Sequence, residues 1–226
     1  MSAADWSAVR LTLQLATAST LLLLLLATPA AWWLTRSRSR LKPFVASLVT
    51  LPLVLPPTVV GFYLLLLMGP HGAVGRVTQS LGLGALPFTF GGLVVASVLI
   101  SMPFVVQPLK QAFDAIPESV LEAAASLRAG PLDRFFCVAM PMARSGILSA
   151  VVLGFAHTVG EFGVVLMIGG NVPDQTRVIS VALYEHVEAG DLVDAHRLAA
   201  AMVLFSLIAL IALHCSSREG RNGAKP

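Results

Sequence analysis

The stretch PESVLEAAASLRAGPLDRFFCVAMP, from Pro117 to Pro141, is the one substantial charged, turn-containing interval between long apolar segments on its side of the chain. Its spacing predicts two short helices joined by a tight turn. Pro117 suits a first helical position, where its missing N–H costs nothing, and Glu118 in the first turn complements the helix dipole. Val120, Leu121, Ala124 and Leu127 share one face at helical spacing, with Glu118 and Glu122 on another. Arg128, Ala129 and Gly130 close the first helix. Pro131 opens the second, on which Leu132, Phe135, Phe136 and Ala139 share a face.

Composition says what surrounds this hairpin. Of 226 residues, 56% are hydrophobic and 12% charged, and the mean hydropathy is +0.82. Soluble domains carry about 25% charge, so this apolar surplus calls for a lipid solvent. The net charge of +3 does not point to nucleic acid, because the basic residues cluster beside apolar segments and report orientation. Cys137 and Cys215 lie far apart without metal-ligand spacing, and neither a cofactor nor a metal site is expected.

Five segments are apolar enough to span: Leu11–Leu34, Phe44–Met68, Phe88–Leu109, Ile147–Ile168 and Leu198–Leu213. The last has 16 residues, fewer than the roughly 20 a crossing needs, so its neighbours must extend it. A sixth, re-entrant segment is left open. The first span is read as uncleaved, since Arg36, Arg38, Arg40 and Lys42 follow it whereas a signal peptide carries its charge in front. Placing that basic loop inside puts eleven of the fifteen Lys and Arg on the inner side. The expectation is an all-α bundle with residues 1–10 outside, a membrane domain over 11–214, the 117–141 hairpin in the cytoplasm and a cytoplasmic tail at 215–226. Three prolines in Leu51–Gly61 (Pro52, Pro56 and Pro57) predict a kinked or unwound start to the second span, and Pro103 and Pro108 kink the third.

Glu122-Ala123-Ala124, with Gly130, Pro131 and the later Met140-Pro141, resembles the EAA loop of bacterial ABC importer permeases. Arg128 stands where that family usually has its turn glycine, and Gly130 is the alternative permissive position. Leu51–Gly75 and His157–Ser180 look like the molybdate permeases of the superfamily; Gly160-Glu161-Phe162-Gly163 is shared with sulfate permeases. The resemblance covers about Leu11 to Leu213. It implies a subunit of a bacterial inner-membrane importer that performs no chemistry itself. Such a subunit pairs with a second copy, takes up two cytoplasmic ATP-binding subunits on its EAA loops, and receives the oxyanion from a periplasmic binding protein. The chain carries no G-x-x-x-x-G-K-[ST] loop of its own.

The candidate residues follow. Glu122, Ala123, Ala124, Arg128, Gly130 and Pro131 are expected to couple to the ATPase, against the alternative of a solvated loop helix. Glu161, an ionisable residue at membrane depth, lies four residues after His157, so the two can hydrogen-bond on one helix face. A carboxylate repels an anionic cargo, which favours packing or gating over substrate contact. Gly160 and Gly163 suit close helix approach, and Pro56, Pro57 and Phe162 complete the pathway or gate candidates. Arg177 either attracts the oxyanion or is a rim residue paired with Asp174 or Glu185. Rival readings are a sulfate or tungstate permease, an intramembrane enzyme using Glu161 and His157, and a structural assembly subunit.

Overall fold

The computed structural model describes residues 2–82 and 84–222, with side chains described through residue 214. Eleven helices account for its regular structure: α1 Ala3–Arg36, α2 Lys42–Thr50, α3 Pro57–Met68, α4 Ala73–Ser80, α5 Phe90–Asp114, α6 Glu118–Ser126, α7 Pro131–Met142, α8 Arg144–Gly160, α9 Gly163–Gly169, α10 Ile179–Glu188 and α11 Leu192–Asn222. No strand occurs among the described residues.

Among the described residues, three helices are long and apolar enough to cross a membrane: α1, α5 and Leu192–His214 of α11. The number rises to five if each of two bent pairs makes one crossing. Helix α1 starts at Ala3, so residues 3–10 are its first turns. Ser2 caps it: the Asp5 N–H donates to Ser2 Oγ at 3.2 Å and the Ser2 N–H to Asp5 Oδ2 at 2.6 Å, a reciprocal box that satisfies two otherwise orphaned donors. The short last span gains its missing length from Leu192 onward, and the expected tail is helical as far as Asn222; residues 223–226 lie outside the described residues.

The core is a three-helix seam. Leu23, Ala27, Ala31 and Leu34 of α1 meet Val105, Val106, Leu109 and Phe113 of α5, and Ala150 of α8 completes the cluster. Gly146, Ala150 and Gly154 recur every four residues along α8. A methyl group on Gly146 would fall 2.2 Å from Ala112 Cβ, and one on Gly154 2.6 Å from Val105 Cγ2. The α5–α8 backbones therefore approach as closely as small residues permit, the packing that drives helix association where lipid removes the hydrophobic incentive. Arg36 closes one end of the seam, its Nη2 donating to the carbonyls of Phe113 and Ile116 at 3.3 Å each. Both carbonyls lie at the carboxyl end of α5, Phe113 within its last turn and Ile116 just beyond it, so α1 and α5 run parallel. The outward face of α11 carries exposed Val203, Leu204, Leu207, Ile208 and Ile211, a surface suited to lipid.

Two expected spans are broken. The second turns by 111° between Lys42–Leu53 and Pro57–Met68. Pro52 lies in a 3-10 turn over Leu51–Leu53, Pro56 caps α3 and Pro57 begins it, so each missing N–H falls where no helical bond is due. The fourth, read as continuous from Ile147 to Ile168, is interrupted at Glu161 and Phe162. A carboxylate four residues after a histidine gave a helical pattern; the backbone instead extends at Glu161, with φ −69° and ψ 130°.

Candidate functional site

The two breaks pack against each other. A methyl group on Gly163 would sit 2.8 Å from Pro57 Cβ, and one on Gly61 2.8 Å from Met167 Cβ. Thus Gly163, the first residue of α9, lies on Pro57, the first residue of α3, and two motifs over a hundred positions apart form one joint. Gly160 does not take part: a methyl group there would meet nothing within 4 Å. The expectation of close approach holds for Gly163 and fails for Gly160.

Glu161 is 7% exposed and supplies the bonds that make an interruption tolerable in an apolar setting. Its Oε1 accepts the Val164 N–H at 3.0 Å, capping α9, while its carbonyl accepts the Ser180 hydroxyl at 2.7 Å. His157 Nε2 is 3.8 Å from Glu161 Oε2, beyond hydrogen-bond range, and has no hydrogen-bond partner. The expected bond between them is replaced by stacking, the His157 ring lying on Phe104 of α5 at 3.8 Å between centroids. Beside that stack, Ser101 and Thr158 hydroxyls are 3.2 Å apart and buried. Phe162 turns toward Tyr184 of α10, with ring centroids 5.0 Å apart. Pro56 is exposed at the mouth of the break.

The hairpin lies at the end of the molecule where Arg36 caps α5. Helix α6 begins at Glu118, with Pro117 as its cap instead of its first residue. Its end is a Schellman turn, in which the Arg128 N–H bonds the Ala125 carbonyl at 2.9 Å and the Ala129 N–H bonds that of Ala124 at 3.1 Å. The left-handed residue this turn requires is Arg128, with φ +63°. Gly130 does not supply it. At φ −65° it caps α7, and its N–H donates to Asp133 Oδ2 at 3.1 Å. Leu121 packs inward, but Leu127 points out, 85% exposed, contrary to its expected face.

In α7 the expected face divides: Phe135 and Ala139 pack inward while Leu132 and Phe136 are exposed. Residues Arg134–Ala139 form a π-helical turn, whose wider repeat rotates side chains off the α-helical register. Trp32 meets Phe113 and Phe135 edge-to-face beneath it, its ring centroid 5.3 Å from each. A cavity of about 380 Å³ separates the hairpin from the end of α1, lined by Arg36, Arg38, Glu118, Glu122, Pro131 and Arg134. Ala123 is exposed and Ala124 half-buried on the outer helix.

Arg177, at the opposite end, is not free. Its Nη2 is 2.9 Å from Glu185 Oε2, which also accepts from Asn171 Nδ2 at 3.1 Å. Thr176 ties the same loop together, donating to the Gly169 carbonyl at 2.6 Å. Residue-by-residue reading missed the partners Phe104, Ser180 and Tyr184, which carry no charge to draw notice. It also missed His186, whose Nε2 is 3.0 Å from buried Asp5 Oδ1. Among the described residues, no three metal-ligating side chains come together.

The profile of the binding-protein-dependent transport system inner membrane component matches residues 19–217. The chain belongs to that family. This inner membrane component is 62% identical over 218 residues to the molybdenum transport system permease protein ModB of Azotobacter vinelandii, covering 96% of both chains. To ModB of Escherichia coli strain K12 it is 33% identical, covering 97% of this chain and 96% of that one. The sulfate transport system permease protein CysT of Synechocystis is 34% identical over 87% of this chain and 68% of its own length. The fold of the component is that of solved importers: the bacterial alginate ABC transporter superposes with a TM-score of 0.75 over all of this chain and 82% of that one, at 19% identity.

Proposed function

We propose that this chain is the transmembrane permease of an ATP-driven molybdate importer, acting as a homodimer. The observation that carries the substrate is the 62% identity, over nearly the full length of both chains, to the Azotobacter molybdenum permease. Two cytoplasmic ATP-binding subunits supply the hydrolysis, and an external binding protein delivers the oxyanion. The hairpin end faces the cytoplasm, in keeping with the Lys and Arg count, so the Ser2 end faces outward.

The geometry suits this division of labour. Exposed Leu127, Leu132 and Phe136 give the hairpin an apolar surface at the end of the molecule, a feature of docking sites. Closure of the ATPases moves the hairpin, and the close α5–α8 seam carries that motion toward the joint between Pro57 and Gly163. Glu161 acts there as a positioning residue: its carboxylate is committed to the Val164 N–H and holds the break in shape. Arg177, committed to Glu185, shapes the outer rim.

Reconstituting the permease with its ATPase and loaded binding protein tests the assignment. Molybdate uptake is expected to depend on ATP and to survive an equal concentration of sulfate. The similarity to the Synechocystis sulfate permease makes sulfate the specific rival. Full competition at equal concentration would assign the chain to sulfate instead.

A further inference from the structure

The exposed face of α5 carries two amides where an apolar helix has little use for them. Gln107 and Gln111 are both exposed and lie one turn apart, and among the described residues neither side chain has a hydrogen-bond partner. From Phe90 to Leu109 the helix holds no charge. Gln107 lies within that stretch, where an unpaired amide turned toward hydrocarbon is costly, so it must meet water or a polar cargo. Gln111, just past Lys110, continues the polar face toward the hairpin end. This face does border a space: a cavity of about 270 Å³ lined by Gln107, Gln111, Phe104, Leu53 and Leu153. Leu53 is the last residue before the break in the second span, and Phe104 carries the His157 ring. The amides therefore lie between the joint of broken helices and the hairpin end.

We propose that Gln107 and Gln111 are the side chains that contact the tetrahedral oxyanion on the inner half of its route, donating from neutral amides. This rests on the reading of the chain as an oxyanion permease. Each amide offers two N–H donors, and an i, i+4 pair presents them in succession along the direction of travel. Neutral donors suit passage. Binding must be favourable enough to admit the ion yet weak enough to release it, and a fixed guanidinium would hold a dianion where two amides hand it on.

The test measures molybdate uptake by the reconstituted importer with substituted permeases, each first shown to assemble with its ATPase. Gln107→Leu removes the donors and should lower uptake about tenfold, the loss of one hydrogen bond to a charged group. Gln107→Glu keeps the shape but repels the anion and should lower uptake further, while Gln107→Asn should recover part of it. Gln111→Leu and Gln111→Glu should repeat the order. Equal uptake for the leucine and glutamate variants, or uptake at the parent rate in either, would overturn the proposal, because packing alone cannot produce the charge order. An unsubstituted importer that moves no oxyanion would instead overturn the permease reading, and this inference with it.

Discussion

Arg128 holds a left-handed backbone that glycine would adopt freely. The Cβ cost of that conformation is about 1–2 kcal/mol, partly offset because an arginine loses about 0.5–1 kcal/mol less backbone entropy on ordering than a glycine would. Arg128→Gly should therefore stabilise the end of α6 by about 0.5–1 kcal/mol, and amide exchange over residues 123–129 should slow about two- to fivefold. Arg128→Val, β-branched at φ +63°, should accelerate it. Slower exchange in the valine variant than in the parent would show that the turn is held from outside. The turn was legible from Leu127 to Pro131, and the resemblance set Arg128 where the family has its turn glycine, the position that is left-handed. The alternative, Gly130, rested on glycine preference alone, whereas the Schellman bonds to Ala124 and Ala125 are counted from where the helix stops.

At the scale of elements, helix types and most spans were legible because apolar length alone announces them. The breaks were only half legible. Three prolines foretold the first, but the second depends on bonds from Val164 and Ser180 to Glu161, which close in space. The link between α1 and α10 belongs to this scale as well. His186 donates from Nε2 to Asp5, its Nδ1 lies 3.4 Å from Asp191 Oδ2, and Asp194 is near. The Asp5 hydrogen bond raises the His186 pKa above its usual value, outweighing burial, and the charges of Asp5, Asp191 and Asp194 add to it. A raised folded pKa means that the stabilisation is complete below the unfolded value of about 6.5 and is lost as pH rises through the folded one. Thermal unfolding in detergent should therefore show a midpoint that falls on going from about pH 6 to about pH 9. His186→Gln should flatten that dependence. A parent and variant with identical pH profiles would remove the link from the account.

For the whole molecule, the question is what the hairpin transmits. Glu122 is exposed and has no ion-pair partner among the described residues, so replacing it should change stability by less than about 0.5 kcal/mol. Glu122→Lys should nevertheless abolish uptake while the protein remains in the membrane, since it reverses a charge on the surface proposed to dock the ATPase. Uptake at the normal rate in that variant would show that the hairpin is not where the ATPase takes hold. The hairpin as a distinct interval was legible in the sequence, because charge and turn residues marked it as unlike its neighbours. The exposure of Leu127, Leu132 and Phe136 was not, since helical spacing set Leu127 on one face with buried Leu121, and Leu132 and Phe136 on one face with Phe135 and Ala139.

The π-helical turn at Arg134–Ala139 is a single extra residue lodged in a helix. A chain lacking it would have an ordinary α-helix, with everything before Arg134 rotated by about 100° relative to Met140, the angle one residue subtends. Leu132 would then point elsewhere and the hairpin would present a different outer surface at that end of the molecule. One inserted codon could thus re-aim the whole contact without altering any side chain in it, and one deletion could undo it. Chains that share a motif letter for letter can still differ in partner through length alone.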